Sequence, residues 1–269
     1  MTKTGLAESV HAPRTVSSPA GTGVLVVVPT YNERDNLPDL TRALLDLDGT
    51  RLLVVDDRSP DGTGALADDL AAQYPGRVEV LHRSGTRGLG RSYADGLARA
   101  LETGAPLIAQ MDADLSHAPG HLPAMMAVAT HHDLVIGSRY CAGGAIENWA
   151  PRRRLLSACA NRYIRGVTGM GVLDCTSGYR CWRRDALARV PLDRIRSDGY
   201  AFLVEMLYEA VREGLRVAEV PIVFVERRLG ESKLSSRVLV ESALMPWGLR
   251  VRRRVPRPEP HTVADTPST

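Results

Sequence analysis

The sequence has few residues of the kind that cross-link secreted proteins. It contains 4 cysteines in 269 residues, at positions 141, 159, 175 and 181, and no two of them form a CxxC pair. This spacing argues against a zinc ribbon or a disulfide framework and favours reduced thiols in a cytoplasmic protein. No run approaches the roughly 20 apolar residues that cross a bilayer, and the N-terminus lacks an apolar signal-peptide core.

Two common nucleotide-binding signatures are missing as well. No GxGxxG follows the first predicted strand, and no GKS or GKT marks a P-loop. The formal net charge is only +3, which is too small to indicate general nucleic-acid binding. These absences argue against a Rossmann-type dinucleotide-binding protein and a P-loop NTPase, and they leave nucleic acid out of the expected partners.

Short apolar runs that alternate with helical patterns dominate the chain. Such alternation implies right-handed βαβ units and a mainly parallel sheet flanked by helices, which is an α/β fold. The predicted strands are residues 24–28, 51–55, 78–81, 107–111, 133–140 and 217–225, the last interrupted by Pro221 and therefore at an edge or a bulge. Helices are predicted at about 36–47, 63–74, 91–102, 183–190, 199–213 and 234–250.

The two ends of the chain differ from this pattern. Residues 1–23 are rich in Ser, Thr, Pro and Gly, and residues 252–269 are basic and then rich in Pro and Thr. Neither segment has apolar periodicity, so we expect a disordered leader and a disordered tail. One folded domain is predicted over residues 24–251.

Acidic residues follow three of the predicted strands. Glu33 comes after the first strand, Asp57 after the second, and Asp112 and Asp114 after the fourth. In open α/β sheets, ligands bind at the carboxyl edge, where these side chains converge. Two hard oxygen ligands there can hold Mg²⁺ or Mn²⁺, and the ion can hold a diphosphate. The alternative interpretation is a solvated aspartate pair that caps the next helix.

The segment from Arg152 to Val167 predicts an amphipathic helix with a basic face. One interpretation is a surface helix with solvated arginines. The other, which we favour, is an interfacial helix that holds anionic lipid head groups. The basic residues 250–254 would add to this membrane contact.

Five motifs in a fixed order make the sequence recognisable. They are Pro-Thr-Tyr-Asn-Glu at 29–33, Val-Asp-Asp-Arg-Ser-Pro-Asp-Gly-Thr at 55–63, Met-Asp-Ala-Asp-Leu-Ser-His at 111–117, Gly-Ser-Arg-Tyr at 137–140 and Arg-Arg-Leu-Gly-Glu-Ser-Lys at 227–233. Together they resemble the GT-A glycosyltransferases of family 2, and most of all the dolichol- or polyprenol-phosphate mannose synthases. The resemblance covers about residues 24–250. It implies a GT-A, Rossmann-like fold and inverting transfer of mannose from GDP-mannose to a polyprenyl phosphate.

The resemblance also implies roles for individual residues. Asp112 and Asp114 would bind Mg²⁺ or Mn²⁺, and Asp114, Arg139 and Arg153 would be the catalytic set, the two arginines meeting phosphate near the acceptor. The implied nucleotide-sugar site consists of Pro29, Tyr31, Glu33, Val55, Asp57, Asp112, Ala113, Asp114, Arg227 and Lys233.

Three positions depart from the family pattern. Arg58 replaces a usual glycine, so the turn after the paired aspartates lacks the freedom to adopt a positive φ. Ala158 stands where relatives often have arginine, which affects the expected acceptor-phosphate site. Leu203 stands where glutamine is common. These changes leave the donor residues intact and weaken the assignment of the acceptor.

The implied chemistry needs positioning more than a base, because the acceptor phosphate is already ionised at pH 7. The enzyme would hold that oxygen in line with the sugar C1 and neutralise the departing diphosphate. Two other functions remain open: a family 2 transferase with another nucleotide sugar or a soluble acceptor, and a non-catalytic nucleotide-sugar-binding regulatory subunit. We expect a cytoplasmic protein, peripheral on the cytoplasmic face of the membrane, with a membrane-anchoring protein as a candidate partner.

Overall fold

The computed structural model of the chain describes residues 23–195, 197, 199–226 and 244–251. The predicted tail, and the predicted leader apart from its last residue, lie outside these ranges, as does the motif at 227–233. The strands are β1 (Val24–Thr30), β2 (Thr50–Asp56), β3 (Val78–His82), β4 (Leu107–Gln110), β5 (Leu134–Ser138), β6 (Ala145–Glu147), β7 (Arg180–Arg183), β8 (Val217–Pro221) and β9 (Val223–Val225). The helices are α1 (Leu37–Leu45), α2 (Thr63–Gln73), α3 (Leu89–Glu102), α4 (Leu122–Ala129), α5 (Pro151–Thr168), α6 (Arg184–Leu187) and α7 (Gly199–Arg212), and residues 244–251 are also helical.

Seven of the described strands form one sheet in the order β3-β2-β1-β4-β7-β5-β8. Strand β1 pairs in parallel with β2 and β4, β2 with β3, and β5 with β8. Strand β7 runs antiparallel to both β4 and β5. The mainly parallel sheet predicted from the alternation of strands and helices is therefore confirmed.

The sheet is buried on both faces, which explains the continuous apolar runs of its strands. On one face Leu25 and Val27 pack with side chains of α3 and α7, and on the other Val26 and Val28 pack with side chains of α1. Helix α3 lies so close to the sheet that a Cβ on Gly96 would come within 2.6 Å of Val27 Cγ1. A side chain at this position would push the helix away from the strands.

Strand β7 was not predicted, because its residues look like a polar turn followed by a helix. Arg180 and Trp182 are fully buried in the middle of the sheet. The Arg180 guanidinium donates hydrogen bonds to the carbonyls of Ser177 at 3.0 Å and Leu203 at 2.8 Å. Backbone carbonyls thus accept hydrogen bonds from a guanidinium that the sequence pattern places at the surface, which offsets the cost of burying its charge.

Pro221 ends β8 at the edge of the large sheet, as predicted for a proline inside a strand. The chain then continues in β9, which pairs with β6 in a separate two-stranded sheet. In this small sheet Phe224 lies beside Ile146, and an isolated β-bridge joins Phe224 to His117. The small sheet therefore borders the loop that carries the acidic pair.

Candidate active site

The carboxyl ends of β1 and β2 meet at one edge of the sheet. Thr30 pairs with Asp56 in register, and the Asp57 N–H donates a hydrogen bond of 3.0 Å to the Thr30 carbonyl. The Glu33 N–H donates to the Thr63 hydroxyl at 3.0 Å, which ties the loop after β1 to the start of α2. The structure thus brings Glu33 and Asp57 to the edge where the sequence places them.

Tyr31 projects at this edge beside a cation from another loop. The Arg87 guanidinium donates a hydrogen bond of 2.5 Å to the Tyr31 hydroxyl, and its Cζ atom lies 5.1 Å from the ring centroid. The neighbouring Pro29 is buried in β1, and the Val55 side chain is fully buried in the core. Of these three predicted donor-site residues, Tyr31 presents its side chain at the edge, whereas the Val55 side chain belongs to the core.

Asp57 is held by a buried arginine that no motif pointed to. The Arg83 side chain is only 4% exposed; one of its terminal nitrogens pairs with Asp57 Oδ1, and its Nε donates to Asp95 at 2.7 Å. The Gly88 N–H donates to the other Asp57 oxygen at 2.9 Å. Both carboxylate oxygens of Asp57 are therefore fixed, which gives the predicted base and ribose site a rigid acceptor.

The turn between these elements contains the arginine that replaces the usual glycine. Arg58 has a φ of 60°, in the left-handed region that costs a residue with a side chain about 1–2 kcal/mol. The turn therefore adopts the backbone conformation that glycine would allow, and it does so with strain.

Asp112 follows β4 and is positioned by two buried rings. The hydroxyl of the fully buried Tyr93 donates to Asp112 Oδ1 at 2.7 Å. The Asp112 N–H donates a long hydrogen bond of 3.4 Å to His117 Nδ1. Burial lowers the pKa of His117, although the charges of Asp112 and Asp114 act in the opposite direction. Burial thus keeps His117 neutral at pH 7, with Nδ1 as the acceptor of the Asp112 N–H.

The acidic pair suits a divalent cation that is shared with a ligand. The Asp112 side chain is 31% exposed, and Gly178 faces it, since a Cβ there would lie 3.4 Å from both carboxylate oxygens. Asp114 Oδ1 accepts a hydrogen bond of 3.1 Å from the Ser116 N–H, and Ala113 between the aspartates is buried. Within the described residues, no three His, Cys, Asp or Glu side chains cluster as a ligand set. Two hard carboxylates fit Mg²⁺ or Mn²⁺ when diphosphate oxygens and water complete the shell.

Arg139 is the most firmly held of the predicted acceptor residues. Its Nε and Nη2 atoms donate to the two Asp174 oxygens, each at 2.7 Å, and Nη2 also donates to Thr176 at 2.8 Å. Asp174 is fully buried; burial alone would raise its pKa, but the Arg139 charge and hydrogen bonds outweigh this and lower it. The pair is therefore ionised and fixed. Asp174 belongs to none of the five motifs, because the residues around it have the composition of a polar turn.

A wall of aromatic rings connects the acidic pair with the two arginines. Its members, which we call the aromatic wall, are His117, Phe224 and Trp149. The ring centroids of His117 and Phe224 lie 5.2 Å apart, and those of Phe224 and Trp149 lie 5.5 Å apart. The Arg139 Cζ atom lies 5.4 Å from the Phe224 ring, and the Arg153 Cζ atom lies 4.1 Å from the Trp149 ring. The fold thus brings Asp112, Arg139 and Arg153 to one surface, whereas Arg227 and Lys233 lie outside the described residues.

The sheet is mainly parallel with one antiparallel inner strand, and an acidic pair follows β4 at its carboxyl edge, which is the arrangement expected of a GT-A glycosyltransferase. The family model "Glycosyl transferase family 2" matches residues 25–190. The chain belongs to glycosyltransferase family 2.

Two curated relatives cover most of this chain. A polyprenol monophosphomannose synthase from Mycolicibacterium smegmatis is 46% identical over 232 residues, which are 85% of this chain and 88% of that protein. An undecaprenyl-phosphate mannosyltransferase from Micrococcus luteus is 45% identical over 232 residues, 85% of this chain and 95% of that protein.

Among solved structures, glucosyl-3-phosphoglycerate synthase from Mycobacterium tuberculosis has the same fold. Its complex with Mn²⁺, UDP and glucosyl-3-phosphoglycerate superposes with a TM-score of 0.59 at 21% identity and covers 89% of this chain and 87% of that chain. At this identity the similarity establishes the GT-A-like fold alone.

Proposed function

We propose that the protein transfers mannose from GDP-mannose to a polyprenyl phosphate, with inversion at the sugar C1. The observation that carries the proposal is the aromatic wall, which has Asp112 at one end and Arg139 and Arg153 at the other. The names of the two relatives with 46% and 45% identity support mannose as the sugar and a polyprenyl phosphate as the acceptor.

The donor is bound at the edge formed by β1, β2 and β4. Tyr31, Glu33 and Asp57 contact the nucleoside, with Asp57 held by Arg83 and the Gly88 N–H. Asp112 and Asp114 hold Mg²⁺ or Mn²⁺, as the solved neighbour with Mn²⁺ and UDP suggests by its fold. When bound, the ion supplies a Lewis acid for the departing diphosphate. Arg227 and Lys233 are proposed, from the family resemblance, to add positive charge to the same group.

The acceptor is bound at the other end of the aromatic wall. Arg139 presents a positive charge that Asp174 fixes in place, and Arg153 presents a second one at the start of α5. Because the phosphate oxygen is ionised at pH 7, attack on the sugar C1 needs no proton removal, and a neutral His117 is consistent with this. Two arginines offset the repulsion between the acceptor phosphate and the donor diphosphate.

The direct test is to incubate the protein with GDP-mannose, Mg²⁺ or Mn²⁺ and a short polyprenyl phosphate, with mass spectrometry of the lipid phase. The expected product is a polyprenyl phosphate hexose with a β-anomeric proton in its NMR spectrum. UDP-glucose and UDP-N-acetylglucosamine serve as competing donors, and Asp114→Asn is the inactive control. Transfer from a uridine donor in preference to GDP-mannose would replace the donor assignment. Donor binding without turnover would favour a regulatory subunit.

We also propose that the protein contacts the membrane from one side. In the described part of the chain, no helix is both long and apolar enough to span a bilayer. Exposed apolar side chains instead line two helices that touch, since Arg250 donates a 2.5 Å hydrogen bond to the Val167 carbonyl at the end of α5. They are Leu155, Leu156 and Tyr163 on α5 and Leu244, Trp247 and Val251 on residues 244–251.

Spacings of three and four residues place Leu244, Trp247 and Val251 on one helical face, and a spacing of seven residues does the same for Leu156 and Tyr163 on α5. Helices that lie in a bilayer interface have apolar faces of this kind. Arginines 152 and 154 are exposed in the first turn of α5, next to Leu155, and suit anionic head groups. Flotation with vesicles of anionic lipid tests this membrane contact. The double variant Leu156→Gln, Trp247→Gln should stay in the soluble fraction, whereas unchanged flotation contradicts the proposal.

A further inference from the structure

The two acceptor arginines differ in how strongly their charges are already paired. The Arg139 side chain is 8% exposed, and two hydrogen bonds of 2.7 Å join it to a fully buried carboxylate. Arg153 pairs with Glu226, and these side chains are 31% and 36% exposed. An ion pair exposed to this degree contributes little to stability, because water and salt compete with it. A solvent anion can therefore replace Glu226 far more easily than Asp174.

Glu226 reaches Arg153 from the small sheet. It follows β9 directly, and its N–H donates a hydrogen bond of 3.3 Å to the Glu147 carbonyl of β6. Its carboxylate accepts from Arg153 Nη1 across 73 residues of sequence. The backbone of Glu226 is thus anchored, while its carboxylate occupies the position that an anionic ligand of Arg153 would take.

The ring under Arg153 has an unsatisfied donor. Trp149 is 9% exposed, and its indole Nε1–H is buried with no hydrogen-bond partner among the described residues. A buried donor without an acceptor destabilises the protein, because the N–H has lost its hydrogen bond to water. The Arg153 guanidinium stacks on this indole, with its Cζ atom 4.1 Å from the ring centroid, so the unsatisfied donor and the cation belong to side chains in direct contact.

We propose that Arg153, Trp149 and Glu226 form an anion-exchange site in which Glu226 is the internal competitor of the acceptor. A phosphate monoester displaces the Glu226 carboxylate, takes the Arg153 hydrogen bond and accepts a hydrogen bond from the Trp149 indole. No covalent bond changes in this step. The inference rests on the proposed function for the identity of the acceptor, whereas the exchange itself requires only a monophosphate.

The test measures binding without turnover. Calorimetric titration with a ten-carbon prenyl monophosphate, in the absence of a nucleotide sugar, is done on wild type and on Glu226→Gln. Removing the competing charge should tighten binding about three- to five-fold, the equivalent of the ion pair that is lost. The matched control is Glu147→Gln, which removes one negative charge from the same small sheet without touching Arg153, and it should bind as wild type does.

A second variant tests the indole. Trp149→Phe keeps a ring under Arg153 and removes the N–H, so binding of the monophosphate should weaken about ten-fold, as for a hydrogen bond to a charged group. Inorganic phosphate is titrated in parallel: tightening in Glu226→Gln for both ligands shows recognition of the phosphate alone, and tightening for the ester only shows that the prenyl chain contributes. The prenyl alcohol should respond to neither variant.

Equal affinities of Glu226→Gln and Glu147→Gln for the monophosphate overturn the inference, as does an equal gain for the prenyl alcohol. These results are independent of catalysis. If Glu226→Gln binds the monophosphate more tightly but wild type transfers no sugar, the exchange site stands and the proposed function fails. If wild type transfers mannose and Glu226→Gln binds unchanged, only the exchange site fails.

Discussion

Asp174 holds the guanidinium of Arg139 through two hydrogen bonds of 2.7 Å in a site that excludes water from the carboxylate. Removing the charge of one partner in a buried ion pair is strongly destabilising. If one partner becomes neutral, the other remains as a buried charge without compensation. The pair thus contributes to the stability of the fold and fixes the position of Arg139, which we propose as an acceptor-binding residue.

Asp174→Asn should therefore destabilise the protein by about 3–5 kcal/mol, measured by urea unfolding. The control Asp39→Asn breaks the exposed pair with Arg42 and should have little effect. Because the pKa of Asp174 is lowered on folding, its contribution is present above the unfolded value of about 3.9 and is lost as the pH falls through the lower folded value. Wild type and variant should converge in stability at acid pH, and a difference independent of pH argues against this account.

Tyr93→Phe tests the hydrogen bond that orients Asp112. Loss of a hydroxyl donor to a metal-binding carboxylate commonly weakens metal affinity about 10–100-fold, so Mn²⁺ binding in the presence of GDP should weaken to that extent. Electron paramagnetic resonance of free Mn²⁺ measures it without turnover. Tyr74→Phe, on the other face of the sheet, is the control. Equal Mn²⁺ affinity in both variants would show that Asp112 needs no orientation from Tyr93.

Arg83→Met should raise the KM for the nucleotide sugar because Asp57 loses its buried cation. A hydrogen bond between charged groups is worth about 1.5–3 kcal/mol, which corresponds to roughly 10- to 150-fold in affinity. The KM for the acceptor should stay constant, which a general loss of folding would not produce. Arg83→Lys should recover part of the affinity that Arg83→Met loses, since lysine supplies the charge but not the planar fork. Arg99→Met, at an exposed position, is the control.

Arg58→Gly should stabilise the protein by up to about 1 kcal/mol. The strain of a side chain in the left-handed region exceeds the entropic cost of ordering a glycine, so removing the side chain is a net gain. The φ of Arg58 is 60°. The expected rise in Tm is about 2–4 °C for a domain of this size, measured by scanning calorimetry. Arg58→Ala keeps the Cβ and should give no gain. A similar rise for both variants would mean that the charge, rather than the backbone, destabilises the turn.

Much of the sheet could be predicted from local patterns. The run 24–28 and the run 51–55 are continuous because both faces of β1 and β2 are covered by helices, and the same reasoning places their ends at one edge. The two acidic residues after β4 follow from that edge. Such features depend on a few consecutive residues, so the sequence alone carries them.

Strand β7 and the small sheet could not be predicted in the same way. Arg180 satisfies its guanidinium with carbonyls from Ser177, Cys175 and Leu203, which only the folded chain brings together. Strand β9 is three residues long and pairs with another strand of equal length. Neither length nor polarity distinguishes these segments from loops before their neighbours are known.

By itself the sequence determined the family, the parallel sheet and the order of the acidic and basic motifs, since each of these is written in short stretches of neighbouring residues. Only the tertiary structure decided which partners hold the site: Arg83 with Asp57, Tyr93 with Asp112 and Glu226 with Arg153 are separated by 26, 19 and 73 residues. Hydrogen bonds and ion pairs depend on distances of a few ångströms. Residues so far apart in the chain reach those distances only when the strands and helices have packed.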